Sequence, residues 1–211
     1  MPDVLPEFQV KREAGVILLT LISADGMNRL TRQTVAALTE TFEKLNSSSE
    51  DVEPVVLSGR QNFSAGADLN EVRGLTGPAA YEFSASGQRL MSAIANHSAG
   101  VVAAIEGHCM GGGLDLALAC HRRIAAPGAV FGHRGAALGL ITGWGGTQRL
   151  PRLIGKGRAL QLFLTAGTLP AEQALPLGLI DEIADDPRQA ARRSLLQDQR
   201  PVQESPHPHE I

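Results

Sequence analysis

The chain has 211 residues, 43% hydrophobic and 19% charged, with a formal net charge of −3. That is enough apolar content for one substantial core, and the mild acidity argues against a nucleic-acid partner. No apolar run reaches about 18 residues, and the start "MPDVLPEFQVKREAG" lacks a basic end followed by an apolar stretch. Neither a membrane span nor a signal peptide is therefore expected, and a cytoplasmic location is.

In chain order, "GVILLTLI" (15–22) reads as a strand from its β-branched content. Thr31 is the expected N-cap of a helix in which Val35, Leu38, Phe42 and Leu45 recur at helical spacing. "PVVLSG" (54–59) is a short buried strand, and "RQNFSAGADLNE" is a Gly/Ala-rich loop. A helix is expected from about Gly77 to Asn96. "VVAAIEG" (101–107) is the next strand, followed by the glycine-led helix "GGLDLALAC". "RRIAA" and "AVFGH" are two more strands. The loop "RGAALGLITGWGG" leads to helices around Gln148–Ile154 and Gly157–Thr165, with "RLPRLIGKGR" as their solvated basic face. "LPAEQALPLGLIDEI" holds a short helix and a last strand. Alternating strands and helices with short crossovers indicate an α/β class. The expected division is a core over 1–184, then a short helix and a disordered tail over 185–211. No repeat of fixed period is visible. Cys109 and Cys120, the two cysteines, sit in apolar surroundings and read as buried free thiols. No metal-ligand spacing is present.

The stretch "GHCMGGGLDLALAC" (107–120) runs three glycines into a helix, where each weakens helix formation by about 1 kcal/mol relative to alanine. Two readings stand. Free N–H groups at a helix start, with no Cβ in the way, suit a phosphate or a developing oxyanion. Close helix-to-strand packing also selects small residues. "FSAGADL" (63–69) is a second small-residue loop after a strand, and two such loops can each aim one N–H at a single oxygen.

"NRL" at 28–30, "FSAGADL" at 63–69, "GGGLDLALAC" at 111–120 and "GWGGTQRLPRLIG" at 143–155 together resemble, in order and spacing, the signature segments of the crotonase (enoyl-CoA hydratase/isomerase) superfamily. The resemblance covers about residues 10–184. It implies a spiral core of repeated ββα units and a coenzyme A thioester as substrate. The Ala67 and Gly112 N–H groups would then form an oxyanion hole. Ala65, Asp68, Leu69, Asn70 and Gly111 would line the thioester, Trp144 the acyl pocket, and Arg29 would meet a CoA phosphate. Gly111 and Gly113 would keep the approach to Gly112 clear. No metal and no permanently bound cofactor are implied, and the assembly would be a homo-oligomer, a trimer or hexamer.

The chain departs from the family pattern at the acids. Family hydratases use two glutamates, one after the glycine triplet and one in the next strand–loop. Here the first position holds Asp115, and the second falls on Gly135 in "FGHRGAALG". A later alternative carboxylate position is Gly143. Arg134 replaces a common proline, His121 a common aspartate, and Asn70 a lysine that relatives place near the CoA adenine. The C-terminal helical region is shortened. Asp115 reads equally as a lone acid–base group, as a first-turn acid on the helix dipole, or as a packing remnant. His133 is the nearest other acid–base group, although a histidine at a strand end suits a structural role. Isomerisation needs one base, decarboxylation none, and relatives with glycine at the Gly135 position are thought to bind bicarbonate. The alternative is a non-catalytic acyl-CoA-binding or interaction protein. Glutamates restored at 115 and 135 would be expected to restore hydration.

Overall fold

The computed structural model describes residues 7–47 and 52–197. Strands β1 (Phe8–Glu13) and β2 (Val16–Leu21) form an antiparallel hairpin. β1 is absent from the sequence reading. Its side chains are mostly exposed, so it shows no buried face, and backbone pairing with β2 makes it a strand. Next come β3 (Arg29–Leu30) and α1 (Arg32–Ser47). Thr31 caps α1 by accepting from the Thr34 N–H at 3.1 Å. Val35, Leu38 and Phe42 are buried and Leu45 packs against them.

The chain continues through β4 (Val55–Gly59), β5 (Gly66–Ala67), α2 (Leu69–Arg73), α3 (Gly77–Ala95), β6 (Val101–Ile105), β7 (His108–Met110) and α4 (Gly112–Ala119). Then come β8 (Arg122–Ala125), β9 (Val130–Gly132), a 3₁₀ turn (Gly135–Leu138), α5 (Gly146–Ile154) and α6 (Lys156–Thr165). β10 (Leu169–Pro170), α7 (Ala171–Ala174), β11 (Glu182–Ile183) and α8 (Pro187–Gln197) complete it. The 60–71 loop of the sequence reading therefore contains β5 and the start of α2. A further strand, β7, stands between β6 and α4.

One six-stranded sheet has the order β1-β2-β4-β6-β8-β11, parallel except for β1. After each of β2, β4, β6 and β8 comes a short strand outside this sheet, then helix. This is the ββα repeat that the resemblance implies. Its units differ in length, which is why no fixed period appears in the sequence. The short strands pair separately, β3 with β5 and β7 with β9 and β10.

The central strands β4 and β6 are buried on both faces, as a covered parallel sheet requires. Ile17, Val55, Leu57, Ala103 and Ile105 face the helical layer. Val16, Val56, Val102, Ala104 and Ile124 face α8 through Ala190 and Ala191. Ion pairs from Arg188 to Glu106 (3.0 Å) and Arg193 to Glu182 (3.3 Å) flank that seat. The expected tail disorder falls on 198–211, outside the described residues. No described helix is long and apolar enough to cross a membrane.

Ala191→Asp places an unpaired carboxylate under α8 at a fully buried position. It should destabilise the fold by about 3 kcal/mol or more, read as a lower urea midpoint. An unchanged midpoint would show that α8 is not seated on the sheet.

Candidate active site

Short polar side chains bring three loops together. Asn28, buried and held at a φ of 49°, donates from Nδ2 to the Arg60 and Asn62 carbonyls (3.1 and 2.6 Å). Asn62 donates to the Gly26 carbonyl (3.0 Å) and accepts from the His108 N–H (2.9 Å). Ser64 donates to the Asn28 carbonyl (2.7 Å) and accepts from the Gly66 N–H (3.1 Å). Segments 26–30, 60–66 and 106–110 are thereby cross-tied. The sequence reading quotes all three inside its segments, Asn28 in "NRL", Asn62 in "RQNFSAGADLNE" and Ser64 in "FSAGADL", and gives none of them this role. Asparagine and serine inside otherwise apolar loops are the available signal, since both readily bond to backbone.

The three glycines of α4 answer to three different constraints. Gly111 has φ 52° and ψ −121°, a conformation open in practice to glycine alone. A Cβ on Gly112 would meet the Trp144 ring at 2.5 Å and the Ala67 nitrogen at 3.3 Å. A Cβ on Gly113 would meet the Ser64 carbonyl oxygen at 2.5 Å. Close packing is thus present at Gly112 and Gly113. Gly113 lies against the other loop rather than clearing an approach, and Gly111 serves the turn.

The same contact fixes the distance between the two expected donors. A Cβ sits about 2.5 Å from its own backbone nitrogen, so the Ala67 and Gly112 nitrogens are under about 6 Å apart. Gly112 also begins α4, where N–H groups have no intrahelical acceptor.

Both residues line a cavity of about 970 Å³. Ala65, Leu69, Gly111, Asp115 and Trp144 line it as well. Arg29, Asp68 and Asn70 do not form its wall. Arg29 is exposed and paired with Asp25 at 2.5 Å, which lowers the Asp25 pKa to about 2. Asp68 is the N-cap of α2 and accepts from the Asn70 N–H at 2.7 Å. Trp144 is both wall and core. It is 3% exposed, donates to the Phe83 carbonyl at 3.2 Å, and is pressed between Gly87 of α3 and Gly112. Gly87 is the partner that the sequence reading misses.

Among the described residues that line the cavity, Asp115 is the sole carboxylate. It is 1% exposed. Burial pushes its pKa up to about 7, opposed by the Thr142 hydroxyl, by Arg149 and by the Gly146 and Trp144 N–H groups. Thr142 donates to Asp115 Oδ2. Asp115 Oδ1 lies 3.4 Å from His133 Nε2. Burial holds His133 down to about 4, so it is neutral at pH 7. The two thiols are buried and free. Burial raises both, Cys120 to about 12, so neither is a ready nucleophile.

Gly135 lines the cavity within a closed turn in which the Leu140 N–H donates back to its carbonyl at 2.9 Å. A Cβ there would stand 2.7 Å from the Leu140 carbonyl oxygen. A glutamate cannot enter without opening the turn, so the expected rescue by Gly135→Glu loses its basis.

The chain is similar to known proteins in sequence and in fold. Residues 11–207 match the family model described as enoyl-CoA hydratase/isomerase. A crotonyl-CoA hydratase of Syntrophomonas wolfei subsp. wolfei is 36% identical over 176 residues, spanning 82% of this chain and 67% of the relative. The structure of Pseudomonas aeruginosa DspI superposes with a TM-score of 0.86 at 33% identity, covering 92% of this chain and 75% of the other. An enoyl-CoA hydratase from Thermoplasma volcanium gives 0.84 at 32% identity, covering 92% and 77%.

The raised Asp115 pKa sets a pH-dependent stability. Between the unfolded value near 4 and the folded value near 7, the folded state binds the extra proton. Stability therefore falls as pH rises through that window, by about 4 kcal/mol in all. Asp115→Asn removes the penalty. Its melting temperature should exceed wild type by several degrees at pH 8 and by less at pH 5. Equal shifts at both pH values would show that the carboxylate is not buried as a charge.

Proposed function

We propose that this chain, which belongs to the enoyl-CoA hydratase/isomerase family, moves the α-proton of an acyl-CoA thioester with a single carboxylate, as an isomerase rather than a full hydratase. The observation that carries this reading is the cavity wall. It places Ala67, Gly112 and Asp115 on one cavity and, among the described residues, offers no second carboxylate.

In this reading the Ala67 and Gly112 N–H groups hold the thioester oxygen, each worth about 3 kcal/mol as charge develops there. The acyl chain lies along Val72, Leu75, Phe83, Ile141 and Phe163, an apolar wall suited to it. Ionised Asp115 takes the proton from the α-carbon. The C–H electron pair passes into the thioester as an enolate, and the same proton returns to the γ-carbon. A 3-enoyl thioester becomes a 2-enoyl thioester with nothing gained or lost. A pKa near 7 keeps both forms of Asp115 populated at neutral pH. Coenzyme A enters as part of the substrate, and no bicarbonate is needed.

A panel of thioesters tests the reading. Purified protein should exchange the α-proton of a saturated acyl-CoA in D₂O and convert 3-enoyl- to 2-enoyl-CoA, both followed by mass and absorbance. The base must be ionised, so kcat/KM should rise with pH to a plateau above about 7. Asp115→Asn should abolish both reactions. Hydration of a 2-enoyl-CoA should be slower than isomerisation by about 10²-fold or more, the typical worth of one acid–base group. Fast hydration would refute the one-carboxylate reading. Decarboxylation of a malonyl-type thioester without exchange would reassign the site to chemistry run by the N–H donors alone. Tight thioester binding without any turnover would support a non-catalytic binding protein.

The exposed Leu138, Ile141, Leu160 and Leu164 support a homo-oligomer, a trimer or hexamer as the resemblance implies. Light scattering should give three or six times the monomer mass at micromolar concentration. A monomer would refute it.

A further inference from the structure

Resting on that reading of the cavity, we propose that His133 is the positioning residue of Asp115: its Nε2–H faces Asp115 Oδ1 and holds the carboxylate in place as the base.

The two atoms are 3.4 Å apart. Both are buried, and neither makes a hydrogen bond among the described residues, their mutual contact being outside hydrogen-bond geometry in the ligand-free site. Buried polar atoms left unpaired are costly, so two unpaired atoms this close are the partners available to each other. The distance exceeds the usual 2.7–3.2 Å or so. Acid–base contacts in a ligand-free site are commonly long and shorten when substrate closes the site.

Three separate segments converge on this carboxyl group. Asp115 comes from α4, His133 follows β9, and Thr142 lies in the loop before α5. Thr142 takes Oδ2 and the Gly146 and Trp144 N–H groups also favour the anion, so a side-chain donor at Oδ1 adds a grip on the second oxygen and fixes the plane of the group. Both Asp115 and His133 line the cavity. His133 stands two residues before Gly135, so it occupies the stretch of wall where the second acid is missing. The Phe163 ring of α6, 5.1 Å away, packs against the imidazole.

The surrounding charges suit this role. Arg149 reaches Asp115 from α5 and favours its ionised form. The Cys109 thiol of β7 is neutral because burial raises it. His108 and Arg134 line the same cavity, and α3 contributes Ala80, Phe83 and Ser84, none of them charged. Burial keeps His133 neutral at pH 7, so it supplies one N–H without adding a charge. A donor to the ionised form lowers the pKa of a buried acid. Without it, Asp115 would hold its proton to higher pH and be ionised in a smaller fraction of molecules at neutrality.

The test separates this role from a structural one and from the thioester reading itself. The Asp115 carboxyl is titrated by ¹³C NMR in wild type, His133→Gln, His133→Leu and His133→Phe. In parallel, the pH profile of α-proton exchange is measured. Glutamine places an N–H near the Nε2 position but does not titrate, so it should keep the midpoint within a few tenths of a unit. Leucine and phenylalanine remove the donor. Either should raise the midpoint by about one to two pH units and carry the exchange limb up with it. At pH 7 their exchange should fall by about 10-fold or more, while substrate KM changes little. Using two apolar variants guards against one that fails to fold. An unmoved midpoint in a folded apolar variant overturns the proposal, as does a glutamine variant that behaves like leucine. If wild type shows no exchange but the midpoints shift as stated, the pairing stands and the thioester reading fails.

Discussion

Two backbone segments approach each other with no side chain between them, and the rest of the site depends on that approach. The Ser64 carbonyl lies against Gly113, and a Cβ on Gly66 would sit 2.6 Å from the Met110 carbonyl oxygen and 2.8 Å from the Gly112 nitrogen. One methyl group on either side would force them apart. Ser64 and Asn28 hold the approach by bonding to backbone, and Met110 donates to Ser64 at 2.9 Å. The short strands β3, β5, β7 and β9 turn these contacts into paired ladders. The long sheet beneath is a rigid platform, packed on both faces, that orders the ββα units so that the second and third deliver their loops to one place.

Trp144 converts the same closeness into a wall. Its ring occupies the space that side chains at Gly87 and Gly112 would take, and its indole N–H is satisfied by Phe83. A large aromatic residue fits there because two helices leave out a side chain each. The cavity edge is therefore set by close packing, and a change at Gly87, remote in sequence from Gly112, acts on the same ring.

Asp115 shows how stability is given up at a site. A carboxyl group 1% exposed, on a helix otherwise made of alanine, leucine and glycine, is destabilised as an anion and so has its pKa near 7. An alanine there would remove the burial penalty altogether. Its surroundings offset part of that penalty. Thr142 and Arg149 favour the anion without exposing it to water. The helix N-terminus adds a favourable field of its own, since Asp115 lies in the first turn.

Much of the architecture was legible because it depends on local pattern. Buried parallel strands such as β4 and β6 are apolar runs, α1 has its periodic face and a threonine cap, and the signature segments carry the ββα order. β1 escaped notice because its side chains are mostly exposed, and β3, β5, β7 and β10 because two or three residues are too few to show a period. Their pairing comes from partners far along the chain. The glycines were visible as a feature, but their causes were not: positive φ at Gly111, the Trp144 ring at Gly112 and the Ser64 backbone at Gly113 are indistinguishable as three identical letters. By itself the sequence determined the α/β class, the family, and the glycine at position 135, because these rest on residue identity and order. Only the tertiary structure decided that the Gly135 turn has no room for a side chain, that Arg29 is spent on Asp25, and that His133 lies 3.4 Å from Asp115. Each is a distance between segments that sequence spacing does not encode, set by how the ββα units stack.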